Sequence, residues 1–226
     1  MTASIKQDDQ SPSGVRPLTF KSKADAVYQE IRQRILDGQL LPSSTLNQEQ
    51  LAATLEVSTT PLREALRRLE TEGLVRAAAH REITVAALSR EEFTSLWEVR
   101  QEMDAMAVGL AAQRYRPDDR ERMLSAAEAM SKGGDHHGNV ELNREFHTAI
   151  YYACHNVVLI ELLDVLWDRA DRYRRLITAT SGATGTALEH QTLLGLVLDR
   201  HAKAAARLMR SHLHQSGDLI EQRLRA

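Results

Sequence analysis

Four side chains in the second half of the sequence stand out for the chemistry they can share. Asn143 and His147 lie four residues apart, so on a helix they occupy one face. His190 and His212 follow on later segments. Neutral imidazoles that converge from separate helices of a bundle are a standard way to hold a divalent transition metal. Read singly, each histidine also fits a surface or hydrogen-bonded position, and nine histidines make chance pairings easy. His136 and His137, between glycines, read as a solvated loop.

A second set of residues suits nucleic acid. Ser58, Thr59 and Thr60 open an apolar-periodic segment, followed by Arg63, Arg67 and Arg68. Hydroxyls and free amides at a helix N-terminus attract phosphate. A guanidinium can bond guanine bidentately, which makes Arg63 the residue for a base edge. Arg76, His80 and Arg81 fall beyond this segment, where they would meet the backbone or the minor groove. Any one of these arginines also fits a solvated helix face.

The elements that must position these residues are legible from apolar spacing. Ala24, Val27, Ile31 and Ile35 recur at three- and four-residue steps and predict a first helix, ended by Gly38 and Pro42. Asn47 is placed to cap a second helix carrying Leu51, Ala52 and Leu55. A break at Glu56-Val57-Ser58 precedes a third, with Leu62, Ala65, Leu66 and Leu69 as its stripe and Pro61 tolerated in its first turn. Two short apolar stretches, Leu74-Val75 and Ile83-Thr84-Val85, predict a hairpin. From Ser89 onward the pattern is helical, with segments predicted over 90–115, 117–131, 139–155, 157–180, 185–199 and 200–223. The expected fold is therefore mostly α: a winged helix-turn-helix over 20–88, then an all-α bundle over 89–226, preceded by a polar tail over 1–19.

Composition narrows the function classes. The net charge of −2 excludes a polybasic nucleic-acid coat, and aromatics at 4% argue against a single-strand binder built on stacked rings. Residues 20–87 hold nine Lys/Arg and nine Asp/Glu, so DNA binding must rest on local arrangement rather than bulk charge. With one cysteine, Cys154, no intrachain disulfide can form. No apolar run approaches the ~20 residues of a membrane span, and the start does not read as a signal peptide. A cytoplasmic protein with no membrane partner is expected.

The stretches Leu46-Asn47-Gln48-Glu49-Gln50-Leu51-Ala52, Val57-Ser58-Thr59-Thr60-Pro61-Leu62-Arg63-Glu64-Ala65-Leu66 and Leu69-Glu70-Thr71-Glu72-Gly73-Leu74-Val75 closely resemble the GntR family of bacterial repressors. The resemblance implies a homodimer on a palindromic double-stranded operator, contacted by Ser58, Thr59, Thr60, Arg63, Arg67, Arg76, His80 and Arg81. Thr59 stands where the family commonly has arginine. Glu82 stands where the wing usually has glycine, which predicts an unusual wing conformation.

Further on, Leu96-Trp97-Glu98-Val99-Arg100, Asn143-Arg144-Glu145-Phe146-His147, Asn156 with Leu159, Glu189-His190 and Met209-Arg210-Ser211-His212-Leu213 look like the FCD ligand domain of the FadR-like branch. Many such domains bind a metal through an Asp and three His, which correspond here to Asn143, His147, His190 and His212. Zinc, nickel and manganese are not distinguished, and Asn143 brings no negative charge where the family has Asp. The resemblance also implies a small organic acid as effector. Arg100 matches an arginine able to pair with its carboxylate, although an ion pair with Asp104 one turn on would equally explain it. Arg169, Arg172 and Tyr173 are further pocket expectations.

Two other functions are compatible with some of these residues. A metal-dependent hydrolase on the three histidines lacks a clear general base, since Glu145 and Glu189 lie off the ligand face. A DNA-binding architectural protein without effector requires inert histidines.

Overall fold

The computed structural model describes residues 22–77, 82–132, 140–178 and 185–225. The tail over 1–19, and His80, Arg81, His136 and His137, lie outside them. Among the described residues the order is α1 (Lys23–Leu36), β1 (Thr45–Leu46), α2 (Gln48–Thr54), α3 (Thr59–Thr71), β2 (Val75–Ala77), β3 (Ile83–Val85), α4 (Arg90–Arg114), α5 (Pro117–Lys132), α6 (Val140–Tyr152), α7 (Val157–Thr178), α8 (Gly185–Leu198) and α9 (Ala202–Leu224).

The first three helices form where local chemistry starts and stops them. Ser22 caps α1 in a capping box, its hydroxyl accepting from the Asp25 amide while Asp25 accepts from the Ser22 amide. Asn47 accepts from the Gln50 amide and caps α2. The chain leaves α3 through Gly73 at φ +76°, a conformation glycine adopts without strain. Leu62, Ala65, Leu66 and Leu69 of α3 are buried against Val27, Tyr28, Ile31 and Ile35 of α1. That packing fixes the outer face of α3, which carries Arg63 and Arg67.

The wing holds one strand more than expected. β3 lies between β1 and β2, antiparallel to both, with Leu46 opposite Ile83 and Val75 opposite Val85. β1 is two residues long, too short to show a period of two, and flanking polar residues hide it in the sequence. The Glu82 carboxylate accepts from the Thr45 hydroxyl at 3.0 Å, and the wing segment before it, over 78–81, lies outside the described residues.

The second hydrophobic core runs from Phe93 to Ile220 and is built of helices, joined by Ala153 and Cys154 from the turn after α6. α4 packs along α9, where Trp97 Nε1 donates to the Leu213 carbonyl at 2.7 Å. A Cβ on Gly217 would stand 2.6 Å from that indole nitrogen, so the close approach requires glycine.

The two cores are joined chiefly through α7. Arg32 of α1 grips Asp168 with two nitrogens, and Arg175 reaches Asp37 at 3.2 Å. Arg169 packs against Gly73 and pairs with Glu92 at 2.6 Å. Arg172 donates to the carbonyls of Ala86 and Ala87, clasping the segment that links wing to bundle.

Candidate metal centre and nucleic-acid interface

α6, α8 and α9 each bring one histidine to a common point. His147, His190 and His212 are 0%, 1% and 6% exposed, and one ring nitrogen from each lies within 4.8 Å of the others. His147 Nε2 and His190 Nε2 are 3.1 Å apart. Two imidazole nitrogens on one tetrahedral zinc, each bonded at about 2.0–2.1 Å, would be separated by roughly 3.3 Å. The spacing therefore fits a shared divalent ion. His212 Nδ1 faces Glu189 Oε2 at 2.9 Å, which leaves Nε2 as its ligating nitrogen. A carboxylate behind a histidine in this way fixes the tautomer and raises ligand basicity.

Burial keeps His147 of the cluster in its neutral form. Burial, followed by the neighbouring His190 and His212, holds His147 well below the usual imidazole value of 6.5. Its ring is neutral at physiological pH, as ligation requires. Its Nδ1 has no hydrogen-bond partner among the described residues.

Beside the histidines lies a shell of buried polar groups around Trp167. The Arg100 guanidinium sits 4.3 Å from the centre of that ring and is fully buried. Its NH2 donates to Asp104 at 2.7 Å, and Tyr151, one turn beyond His147, donates to the same carboxylate oxygen at 2.8 Å. Arg100 Nε and NH1 remain without partners among the described residues. Arg100 thus makes the ion pair with Asp104 and keeps two buried nitrogens without partners among the described residues. Arg174 lies 5.1 Å from the Trp167 ring centre and donates to Asn143 Oδ1 at 2.5 Å. Burial, reinforced by Arg100 and opposed by Asp171, lowers the Arg174 guanidinium to about 10.

At the other end of the molecule, Ser58 is the N-cap of α3 and makes no side-chain cap bond, so its hydroxyl is available. Thr59, Thr60, Arg63 and Arg67 are exposed, and neither of these arginines makes an ion pair among the described residues. Arg68 differs. It pairs with Asp25 at 2.6 Å and stacks 4.0 Å from the Tyr28 ring centre, so it braces α3 on α1. Arg76 is exposed on β2.

Comparison with known proteins accounts for both regions. Residues 23–85 match the family described as bacterial regulatory proteins, gntR family, and residues 95–215 match the FCD domain. The chain is 30% identical over 207 residues to the HTH-type transcriptional repressor GlaR of Escherichia coli, covering 86% of this chain and 94% of that one. The chain belongs to the GntR family of bacterial regulatory proteins. It is also 28% identical over 186 residues to the Nta operon transcriptional regulator of Aminobacter aminovorans, covering 81% of this chain and 88% of that one. The structure of E. coli McbR/YncC superposes with a TM-score of 0.75 over 90% of this chain and 99% of that one, at 24% identity, and shows the same fold. This GntR protein is a transcriptional regulator with a DNA-binding domain and an FCD domain.

Within this GntR regulator, the three pocket residues expected on α7, Arg169, Arg172 and Tyr173, make their contacts elsewhere. Arg172 binds linker carbonyls, and the charged groups acting on it are Glu92, Arg169 and Arg76. The Tyr173 hydroxyl donates to Glu92 at 2.7 Å beside Ser89. Both belong to the domain junction, as does Arg169. The arginine of α7 that reaches Asn143, beside the histidines, is Arg174. Glu189, set aside as lying off the ligand face, supports His212 from behind. The signal for Glu189 was its position beside His190 with His212 on the adjoining helix. For Arg174 no local signal existed.

Proposed function

We propose that this regulator is a repressor that binds a palindromic operator as a homodimer and responds to a small organic acid sensed with a divalent metal. The observation that carries the reading is the convergence of three buried histidines beside Arg100, whose Nε and NH1 are buried and unpartnered. Buried polar groups without partners cost stability, so a cluster that keeps them is a candidate for completion by a ligand. His147, His190 and His212 would hold the ion, with Glu189 orienting His212. The ion supplies positive charge that strengthens carboxylate binding. Asn143 sits at the cluster, 2% exposed, but its oxygen is already engaged by Arg174.

Ser58, Thr59, Thr60, Arg63 and Arg67 would enter the major groove, with Arg63 on a base edge and Arg76 toward the backbone. One recognition helix reads too few bases for useful specificity, which supports a two-fold dimer. An apolar stripe at Val99, Met103, Met106 and Leu110 along α4, with Val99 47% and Met106 52% exposed, supplies a face for self-association.

A short path joins the two functions. Arg144 lies between Asn143 and His147 on α6 and donates to Asp168 at 2.6 Å and Asp171 at 3.0 Å. Asp168 is the carboxylate that Arg32 of α1 grips. A change in α6 on ligand binding would alter that grip and shift α1 with the recognition helix packed on it. Such coupling is worth about 1–3 kcal/mol in typical regulators. The test is selection of bound sites from random double-stranded DNA by wild type and Arg100→Ala. A two-fold symmetric site bound by both, with the acid response lost only in Arg100→Ala, is expected. Failure to select a symmetric site, or an unchanged acid response in the variant, overturns the reading.

A further inference from the structure

A cavity of about 560 Å³ opens where the wing meets the bundle, with Arg76 of β2 and Arg169 of α7 both in its wall. The first turn of α4 completes that wall, begun by Ser89 and carrying Glu91 and Glu92. Arg172, three residues on from Arg169 and so on the same helix face, is 4% exposed. Its Nε and Nη1 have no hydrogen-bond partner among the described residues. Burial lowers the Arg172 guanidinium, Glu92 and Tyr173 oppose that shift, and the charges of Arg169 and Arg76 add to it. Arg172 thus lies in the field of both other guanidinium groups.

The acids present do not balance the three arginines. Glu92 is engaged on both oxygens, Oε1 by Arg169 and Oε2 by Tyr173. Glu91 is exposed and forms no ion pair among the described residues. Two carboxylates against three guanidinium groups leave one positive charge, and the N-terminal end of the 25-residue α4 adds a partial one. The Ser89 hydroxyl accepts from the Glu92 amide, which leaves its own hydrogen to donate. Leu96, Val99 and Leu166 give the same cavity an apolar side.

We infer that this junction cavity binds an organic phosphate, with the phosphate between Arg76 and Arg169 and the carbon skeleton against Leu96, Val99 and Leu166. A phosphate monoester carries close to two negative charges and three acceptor oxygens, which several guanidinium groups can share, whereas one arginine fork fills a carboxylate. The anion also offsets the buried charge of Arg172. Held by β2 and α7 together, it ties the wing to the bundle from a site separate from the histidines.

The experiment is calorimetric titration of the full-length protein with phenyl phosphate and with inorganic phosphate. Phenyl phosphate should bind more tightly, because its ring reaches the apolar side. Arg76→Gln and Arg169→Gln should each weaken it about tenfold or more, the effect of losing one charge-assisted hydrogen bond. Arg76 is exposed, so its substitution keeps the test decisive if Arg169→Gln fails to fold. His147→Ala, which removes a route for phosphate to reach a metal, should bind phenyl phosphate as wild type does. No binding by wild type, equal affinity for inorganic phosphate, wild-type affinity in either arginine variant, or loss of binding in His147→Ala overturns the inference.

Discussion

The two domains use arginine in opposite ways. On α3, Arg63 and Arg67 are exposed and make no ion pair among the described residues, while Arg68 in the same run is tied to Asp25 and Tyr28. In the bundle, Arg100 is fully buried and half satisfied, held by Asp104 over Trp167. The exposed pair loses nothing by standing in water and gains when a polyanion displaces it, so its affinity is salt-dependent and tolerant of small shifts. The buried arginine has lost its water already. Its unsatisfied nitrogens make the site selective for a ligand that supplies acceptors at fixed points. The first arrangement suits a long, repetitive partner and the second a small one that must be recognised individually.

If that contrast is right, the two sites should fail separately. The largest effect is expected at the histidines. His147→Ala removes one of three ligands and should weaken zinc binding by more than the 10- to 100-fold typical of losing a supporting group. Operator affinity of the metal-free form should be unchanged by that substitution, as a gel-shift titration would show. Next, Arg63→Ala should cost about 1–3 kcal/mol of operator affinity and relax selectivity at one base position, with zinc affinity intact. Loss of zinc in that variant would break the comparison.

Asp168→Asn probes the junction rather than either site. It leaves Arg32 and Arg144 without their shared carboxylate, so the response of operator affinity to acid should shrink well below the ~1–3 kcal/mol expected of an intact coupling. Zinc affinity and basal operator binding should persist. Retention of full coupling would show that the signal travels by another route.

The smallest effect is expected at Tyr173, where it sharpens the boundary between pocket and junction. Burial and the hydrogen bond to Glu92 push its phenol up to about 12. The folded chain keeps a proton that the unfolded chain releases near 10, so this contribution to stability is complete below pH 10 and is lost as pH rises toward 12. Tyr173→Phe should flatten that part of the alkaline unfolding profile and leave acid binding at wild-type level. Loss of acid binding would return Tyr173 to the pocket.

Legibility of the sequence followed the same division. The recognition helix could be read because its evidence is local: the Asn47 cap, the Leu62–Leu69 stripe and the hydroxyl run sit within one short segment. All six bundle helices were likewise legible from apolar period and Gly or Pro punctuation, to within a few residues at their ends. What escaped was orientation on α7. The run Asp168-Arg169-Ala170-Asp171-Arg172-Tyr173-Arg174-Arg175 offers four arginines, and residues two apart on a helix point about 200° away from each other. Arg172 therefore turns to the linker while Arg174 turns to Asn143, and only the packed bundle decides which does which. β1 escaped for the opposite reason, being too short to carry a pattern.

The most direct test of the sensor is the metal content of untagged protein purified without chelator. One divalent transition metal ion per chain is expected, lost in His147→Ala. A metal-free protein that also refuses added zinc would contradict it, leaving the histidines as packing groups and the DNA-binding domain without a metal-linked sensor.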